Sequence, residues 1–322
     1  MNSINHYREE FLAHLRTSVA VKEPRNLYEP IDYILQLGGK RLRPVLTLIA
    51  TDLFGGDYRK ALPAAAAVEV FHNFSLVHDD IMDNASLRRG KATVHQKWNS
   101  NIAILSGDAM LICAYRLLES YPPDTFAALV KLFSKTALEV CEGQQWDMDF
   151  ETQAQVSIPQ YLQMIRYKTA VLVGAALQMG AVIAGASIEN QRLIYDFGVA
   201  IGLAFQLQDD YLDTFGDEAF GKKIGGDILE NKKTILYLKA LDLADEAQHN
   251  TLIAQYTTSE ENDTKIAIVT QLFRQTGAAE AVRDEITRTT DEALNSLEYI
   301  TISDENRAYL KQFALELMNR KV

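Results

Sequence analysis

"PAAAAVEVFHNFSLVHDDIMDNASLRRGK", Pro63 to Lys91, is the stretch from which the fold is read. Proline is tolerated in the first turn of a helix, where its missing N–H has no intrahelical partner. The residues after it keep apolar side chains at helical spacing as far as the aspartates, so a helix is expected from Pro63 to near Asn84. Outward from it the same period recurs along the 322 residues. Ser157 with Gln160 forms a capping-box pattern before "YLQMIRYKTAVLVGAALQMG". A second long run, "NQRLIYDFGVAIGLAFQLQDDYLD", begins near Asn190 and breaks at the glycine-rich "FGDEAFGKKIGG". Further helices are expected from Lys233 to Leu243, from Glu261 to about Tyr299, and from Ser303 onwards. Alternating strands and fixed-period repeats are not evident. The fold class is all-α, a compact bundle of roughly ten or more helices. With no Pro- or Ser/Gly-rich linker, residues 1–322 are expected to form a single domain.

Composition narrows the function. A net charge of -11 excludes the broad basic field that a nucleic acid or an anionic membrane surface requires. Cys113 and Cys141 have neither disulfide density nor metal-ligand spacing, so they read as buried thiols in a reducing compartment, by default the cytoplasm. The N-terminus is charged and amphipathic, unlike a secretory signal. Thr169 to Ile188 runs twenty residues without a charge, long enough to cross a bilayer. It is rich in Ala and Gly and carries Gln178, so a helix buried on all sides in the core is expected rather than a membrane span.

Asp79, Asp80 and Asp83 spell DDxxD at the end of the first long helix. Positions i and i+4 share a helical face, which places Asp79 and Asp83 about 6 Å apart. They repel one another and oppose the helix dipole, two penalties a divalent cation would remove. All-oxygen donors suit magnesium, which usually takes one or two carboxylates plus substrate phosphates. The spelling recurs 130 residues later as Asp209, Asp210 and Asp213, again at the end of an apolar helix. Basic residues come in tight groups: "GGKRLRP" (Gly38–Pro44), "LRRGK" (Leu87–Lys91), "YKTA" with Lys168, and "GKKIGGDILENKK" (Gly221–Lys233). Carboxylate, magnesium and diphosphate, with direct Lys and Arg contacts on the other side, form a consistent charge ladder. Apolar residues precede both motifs, so a hydrocarbon tail on the diphosphate is expected.

"GGKRLRP", "LVHDDIMD" with "LRRGK", "YKTA" and "FQLQDDYLDTFGD" occur in the order and spacing of the trans-isoprenyl diphosphate synthases, the polyprenyl synthetases that include farnesyl and geranylgeranyl diphosphate synthases. The chain resembles that family over nearly its whole length. The resemblance implies an all-helical isoprenoid synthase-type bundle around a deep cavity, usually a homodimer, that condenses isopentenyl diphosphate with an allylic diphosphate. It implies three magnesium ions per active site, two held by Asp79 and Asp83 and the third by Asp209 with Asp213 in support. Asp80 and Asp210, off the shared faces, would act through water. The allylic diphosphate would be gripped by Arg88, Lys168, Lys222 or Lys223, and Lys232, and the isopentenyl diphosphate by Lys40, Arg43, His72 and Arg89. Thr169 and Gln206 carry oxygen dipoles that would stabilise the allylic cation, and the released diphosphate would take the proton. Two adjacent lysines stand where relatives often show one, so the choice between Lys222 and Lys223 is open.

Product length is read from Phe74, five residues before Asp79 and so about 7.5 Å further down the helix. Ser75 is small where farnesyl enzymes of this type often carry a second aromatic, and Phe71 about one turn beyond could close the cavity. A C15 to C20 product is expected, C20 favoured. The alternatives are a longer-chain polyprenyl diphosphate synthase and a class I terpene cyclase; the latter normally mixes Asn, Ser/Thr and Glu in its second metal motif and has no use for Lys40 and Arg43.

Overall fold

A computed structural model describes residues 1–216, 224–258 and 262–318. Among them the only strands are the two-residue β1 (Leu87–Arg88) and β2 (Lys91–Ala92), an antiparallel pair, and the rest of the regular structure is helical. The all-α expectation is met. The helices gather into two compact units, Met1–Thr136 with Leu172–Tyr195, and Ala137–Val171 with the chain from Asp196 onwards.

The first unit begins with α1 (Ile4–Ser18), α2 (Arg25–Gln36), α3 (Leu42–Leu53) and α4 (Leu62–Met82), then the β1–β2 hairpin, the short α5 (Val94–Lys97), α6 (Ser100–Leu117) and the start of α7 (Pro123–Thr152). Helix α4 starts with Pro63 in its first turn and stops just short of Asn84, as its sequence dictates. Ala64 to Ala67 are fully buried, and such small side chains let helices approach closely. Gly107 of α6 serves the same end, since a Cβ there would lie 2.3 Å from the His78 ring of α4.

Thr169 to Ile188 is a core segment. Its helix, α9 (Val171–Ile183), follows a π turn directly, and Val171, Leu172, Val173, Leu177 and Met179 on it are buried in the protein. Gly180 presses α9 onto α3, where Thr51 Oγ1 donates to the Gly180 carbonyl at 3.1 Å. The described helix that is long and apolar enough for a membrane is Ser100–Ser120, with mean hydropathy 1.4. One side of it, Ala103, Ser106, Gly107, Met110 and Ala114, is buried in the unit, whereas Ile104, Leu105 and Ile112 are exposed. Its pattern is that of a one-sided packing helix.

The second unit holds α8 (Ile158–Ile165), the C-terminal part of α10 (Ile188–Phe215), the short α11 (Gly226–Leu229), α12 (Ile235–Leu243), α13 (Glu246–Thr257), α14 (Asp263–Gln275), α15 (Ala278–Ser296) and α16 (Asp304–Met318). The Ser157/Gln160 capping box is formed, each side chain bonding the other's backbone N–H. Tyr161, Ile165, Leu207, Leu236, Phe273 and Val282 pack its apolar centre. Two expectations need correcting. The helix read as continuous from Glu261 to about Tyr299 is two helices, because Gly277 takes φ +82, a left-handed turn that ends α14 and starts α15. The helix read from Lys233 begins at Ile235, because Thr234 takes the extended backbone of an N-cap (φ -71, ψ 174), while Lys233 Nζ donates to the carbonyls of Phe150, Glu151 and Gln153 and so caps the end of α7.

Candidate active site

In the first unit the aspartate motif divides as the helical period requires. Asp83 is the C-cap of α4, its N–H donating to the Asp79 carbonyl at 2.9 Å, so Asp79 and Asp83 share a face. Asp80 points inward and is 1% exposed. One of its oxygens accepts from Arg88 at 2.8 Å (Nε) and 2.7 Å (Nη2), while buried Oδ2 has no donor. Burial pushes the Asp80 carboxyl up, and Arg88 partly offsets this. Burial also works against the charge on Arg88, yet Asp80, Asp79 and Asp83 together hold its pKa above the usual value.

The turn of the hairpin separates the two arginines. Arg89 and Gly90 have φ +53 and +73, positive at both central positions as in the turns that match strand twist. Arg88 is thereby sent to the aspartates and Arg89 to the Gly38 carbonyl, to which its Nη1 donates. Gly39 has φ +117, so this position needs glycine for its conformation, and the Arg89 guanidinium lies against it, 2.9 Å from where a Cβ would stand. Arg41, of the same "GGKRLRP", is buried and spent on Glu69 and the Leu35 carbonyl. Arg43 Nη1 lies 3.2 Å from His72 Nε2. Arginine can only donate, so Nε2 accepts and the ring proton sits on Nδ1. Burial, then the charges of Arg43, Arg89, Arg88 and Arg41, hold the His72 pKa well below the ordinary value, so it is neutral. Of the residues expected at the isopentenyl site, Arg43 meets His72, and Arg89 sits on the glycines that precede exposed Lys40.

In the second unit Lys168 and Thr169 lie on a π-helical turn, Arg166–Ala170, between α8 and α9. Such wide turns re-aim side chains and recur at functional sites. Two glycines make room for it. A Cβ on Gly143 of α7 would fall 2.3 Å from the Lys168 nitrogen, and one on Gly202 of α10 would fall 2.8 Å from Ala170 Cα. Trp146 stacks on Tyr167 with ring centres 5.3 Å apart, and Asp147 pairs with Lys168 Nζ at 2.6 Å. Thr169 Oγ1 donates to Gln206 Oε1 at 3.1 Å, and Gln206 Nε2 to Asp210 Oδ1 at 3.0 Å. Tyr161 O–H donates to the other Asp210 oxygen. Asp210, like Asp80, is thus the inward member of its motif. Asp209 is half-buried, and buried Asp213 organises the following loop by accepting the Asp227 N–H at 3.0 Å while its carbonyl takes the Gly225 N–H at 2.6 Å. Lys232 lies 2.7 Å from Glu230 and 3.9 Å from Asp227. Burial lowers its pKa, but these carboxylates hold it above the ordinary value. Lys222 and Lys223 lie outside the described residues.

The donor set fits magnesium. It is all oxygen, which suits a cation that takes few protein ligands and completes its shell with water and phosphate. The orphaned Asp80 Oδ2 suits an acceptor for a metal-bound water. Sequence reading passed over Asp147, Tyr161 and Asp227. Asp147, four residues after the helical Gly143, carries a weak signal, while the other two look like an apolar-face tyrosine and a loop carboxylate.

Residues 24–273 match the polyprenyl synthetase family. The chain is 38% identical over 301 residues to a geranylgeranyl pyrophosphate synthase of Geoglobus acetivorans, covering 93% of this chain and 92% of that one. It is 35% identical over 283 residues to a geranylfarnesyl diphosphate synthase of Natronomonas pharaonis, covering 82% and 81%. A crystal structure of a geranylgeranyl pyrophosphate synthase superposes with TM-score 0.96 at 53% identity, over 100% of both chains. The chain belongs to the polyprenyl synthetase family. It is an enzyme, a prenyltransferase, with the all-helical fold of the prenyl synthases.

Asp210 gives this polyprenyl synthetase a testable pH dependence. Burial pushes its carboxyl up to about 8, helped by Asp227 and Asp209 and opposed by the hydrogen bonds from Tyr161 and Gln206. In the unfolded chain the group titrates near pH ~4, so across the window between these values only the folded form keeps the proton. Stability therefore falls as pH rises through that window, by up to about 1.4 kcal/mol per pH unit, and levels off above it. Urea midpoints of the metal-free protein from pH 5 to 9 measure the slope. Asp210→Asn, which cannot titrate, is expected to flatten it; equal slopes in both proteins would show that other groups carry the effect.

Proposed function

We propose that this polyprenyl synthetase condenses isopentenyl diphosphate with dimethylallyl, geranyl or farnesyl diphosphate to give the C20 all-trans prenyl diphosphate, with residues 1–322 acting as one catalytic domain. The observation that carries the reading is the division of the two hairpin arginines. Arg88 is committed to the carboxylates of DDxxD and Arg89 to the glycine loop before Lys40, which provides separate handholds for two diphosphates.

Arg88, Lys168, Lys232 and one of Lys222 and Lys223 grip the allylic diphosphate. Asp147 holds Lys168 extended until phosphate oxygens replace it. Lys40, Arg43, His72 and Arg89 grip the isopentenyl diphosphate, and neutral His72 offers Nδ1–H as a donor. Asp79, Asp83 and Asp209, supported by Asp213, would hold magnesium, three ions per site, whose positive charge neutralises the diphosphate as it departs. The allylic C–O bond breaks, the isopentenyl double bond attacks the resulting cation, and a proton leaves to the released diphosphate. The oxygens of Thr169 and Gln206 stabilise that cation where a carboxylate would be alkylated.

Phe74 closes the tail path. Its ring lies 5.5 Å from Phe71, which lies 5.2 Å from Phe133, so the floor has an aromatic backing. The exposed side of α6, with Ile104, Leu105 and Ile112, supplies a face for a homodimer. Cys113 is half-buried and Cys141 exposed, not buried as expected; as free thiols they suit a cytoplasmic enzyme.

Labelled isopentenyl diphosphate, supplied with each allylic partner and magnesium, is expected to enter C20 product, and chelation of the metal to stop it. Cyclic hydrocarbon released from an allylic diphosphate alone would identify a terpene cyclase instead. Products of C30 or longer would overturn the assigned length.

A further inference from the structure

The first turn of α14 carries a buried lysine. Lys265 is 1% exposed, and a buried ammonium costs several kcal/mol unless its surroundings compensate it. A cation in the first turn also opposes the helix dipole, and this turn is already capped by Asn262, whose Oδ1 accepts the Lys265 N–H at 2.9 Å.

What Lys265 touches is the loop that carries Lys232. Its Nζ donates to Asn231 Oδ1 at 2.7 Å and approaches the Thr258 carbonyl at 3.4 Å, and Asn231 Nδ2 reaches the same carbonyl at 3.3 Å. The three groups close a triangle around Asn231, whose φ of +56 lies in the left-handed region that only Gly and Asn adopt readily. The next peptide unit is fixed in turn, since Lys232 N–H donates back to the Asp227 carbonyl at 2.9 Å. Ile266, the next residue of α14, meets the other end of the loop, where a Cβ on Gly225 would lie 2.8 Å from it. Gly225 and Asp227 are the two residues whose N–H groups Asp213 receives. One helical turn therefore clamps the loop from Gly225 to Lys232 at both ends.

We propose that Lys265 is a positioning residue for allylic diphosphate binding: through Asn231 it sets the place of Lys232 and Asp227 relative to Asp213. The inference rests on the reading that this loop grips the allylic diphosphate.

Steady-state kinetics of the full chain test it. Lys265→Met, close in length but uncharged, is expected to raise the KM for the allylic diphosphate about tenfold and leave that for isopentenyl diphosphate within about twofold. Asn231→Gly keeps the left-handed backbone and deletes the acceptor; it should give the same split, and the double variant should be no worse than the worse single one. If Lys265→Met does not fold, Asn231→Gly decides alone. Lys232→Gln separates the two ways of failing. If it raises the allylic KM while Lys265→Met and Asn231→Gly do not, the role of Lys265 is overturned. If Lys232→Gln leaves that KM unchanged, the loop is not the allylic handhold and the proposal falls with that reading. An equal rise of both KM values in Lys265→Met or Asn231→Gly would mark a structural defect only and would also overturn it.

Discussion

Replacing Asp79 or Asp83 with Ala is expected to lower kcat about 1,000-fold, the scale on which removing a group that stabilises charge on a leaving group is felt. Folding should respond far less for Asp83. It is exposed at the C-cap of α4, where a negative charge opposes the helix dipole and lies one turn from Asp79, penalties offset by its attraction for Arg88. Removing it should change stability by no more than about 1 kcal/mol. A fall in activity with an unchanged or higher melting temperature would mark the pair as built for a cation rather than for the fold. Asp80→Ala provides the contrast: its carboxylate accepts two Arg88 contacts inside the protein, so its loss leaves a part-buried guanidinium without its main partner and should lower stability. Melting curves beside turnover measurements check both variants, and a large loss of stability in Asp83→Ala would contradict the cation-binding role.

Phe74→Ala is expected to move the main product from C20 to C25 or longer. The side chain is 8% exposed and lies about 7.5 Å along α4 from Asp79, with Phe71 behind it at 1% exposure. Removing one ring should let the tail advance to the next, so a defined extension is expected rather than an open-ended series. The cavity costs about 3 kcal/mol or more, so assays belong at moderate temperature. Chromatography of dephosphorylated products from isopentenyl and farnesyl diphosphates gives the distribution. An unchanged distribution would place the floor elsewhere. Natronomonas pharaonis supplies a relative named for the geranylfarnesyl product at 35% identity, so overall similarity does not decide length and the test bears on the residue itself.

Much of this was legible in the chain because it follows from local geometry. The period of Ala64 to Asp83 determined a helix, and the i, i+4 spacing of Asp79 and Asp83 determined which carboxylates share its outer face. Ser157 and Gln160 determined a capped start. The order of the charged motifs pointed to a diphosphate enzyme before any contact was known, since repulsion between paired carboxylates needs a cation whatever surrounds them. The residues that did not announce themselves depend on distant neighbours. Gly143 looks like any helical glycine until Lys168 lies against it, and the π turn that this permits has no periodic signature. Gly277 is tolerable inside a helix by propensity alone, and its φ of +82 splits one expected helix into two.

The basic clusters mark the boundary most clearly. Arg41 stands near Arg43, Arg88 beside Arg89 and Lys232 beside Lys233, and without the family resemblance local spacing offers no way to tell members of a pair apart. Tertiary structure separates each pair by burial and partner: Arg41 is spent on Glu69 and Lys233 on the end of α7, while Arg88 and Arg89 leave one turn toward different groups. The sequence by itself determined that the protein is helical and that its chemistry joins carboxylates to phosphates, because both follow from interactions within a few residues. Which protein groups each of these cations meets was decided only by the tertiary structure, because the free energy of a charge depends on the solvent and partners that distant segments bring to it.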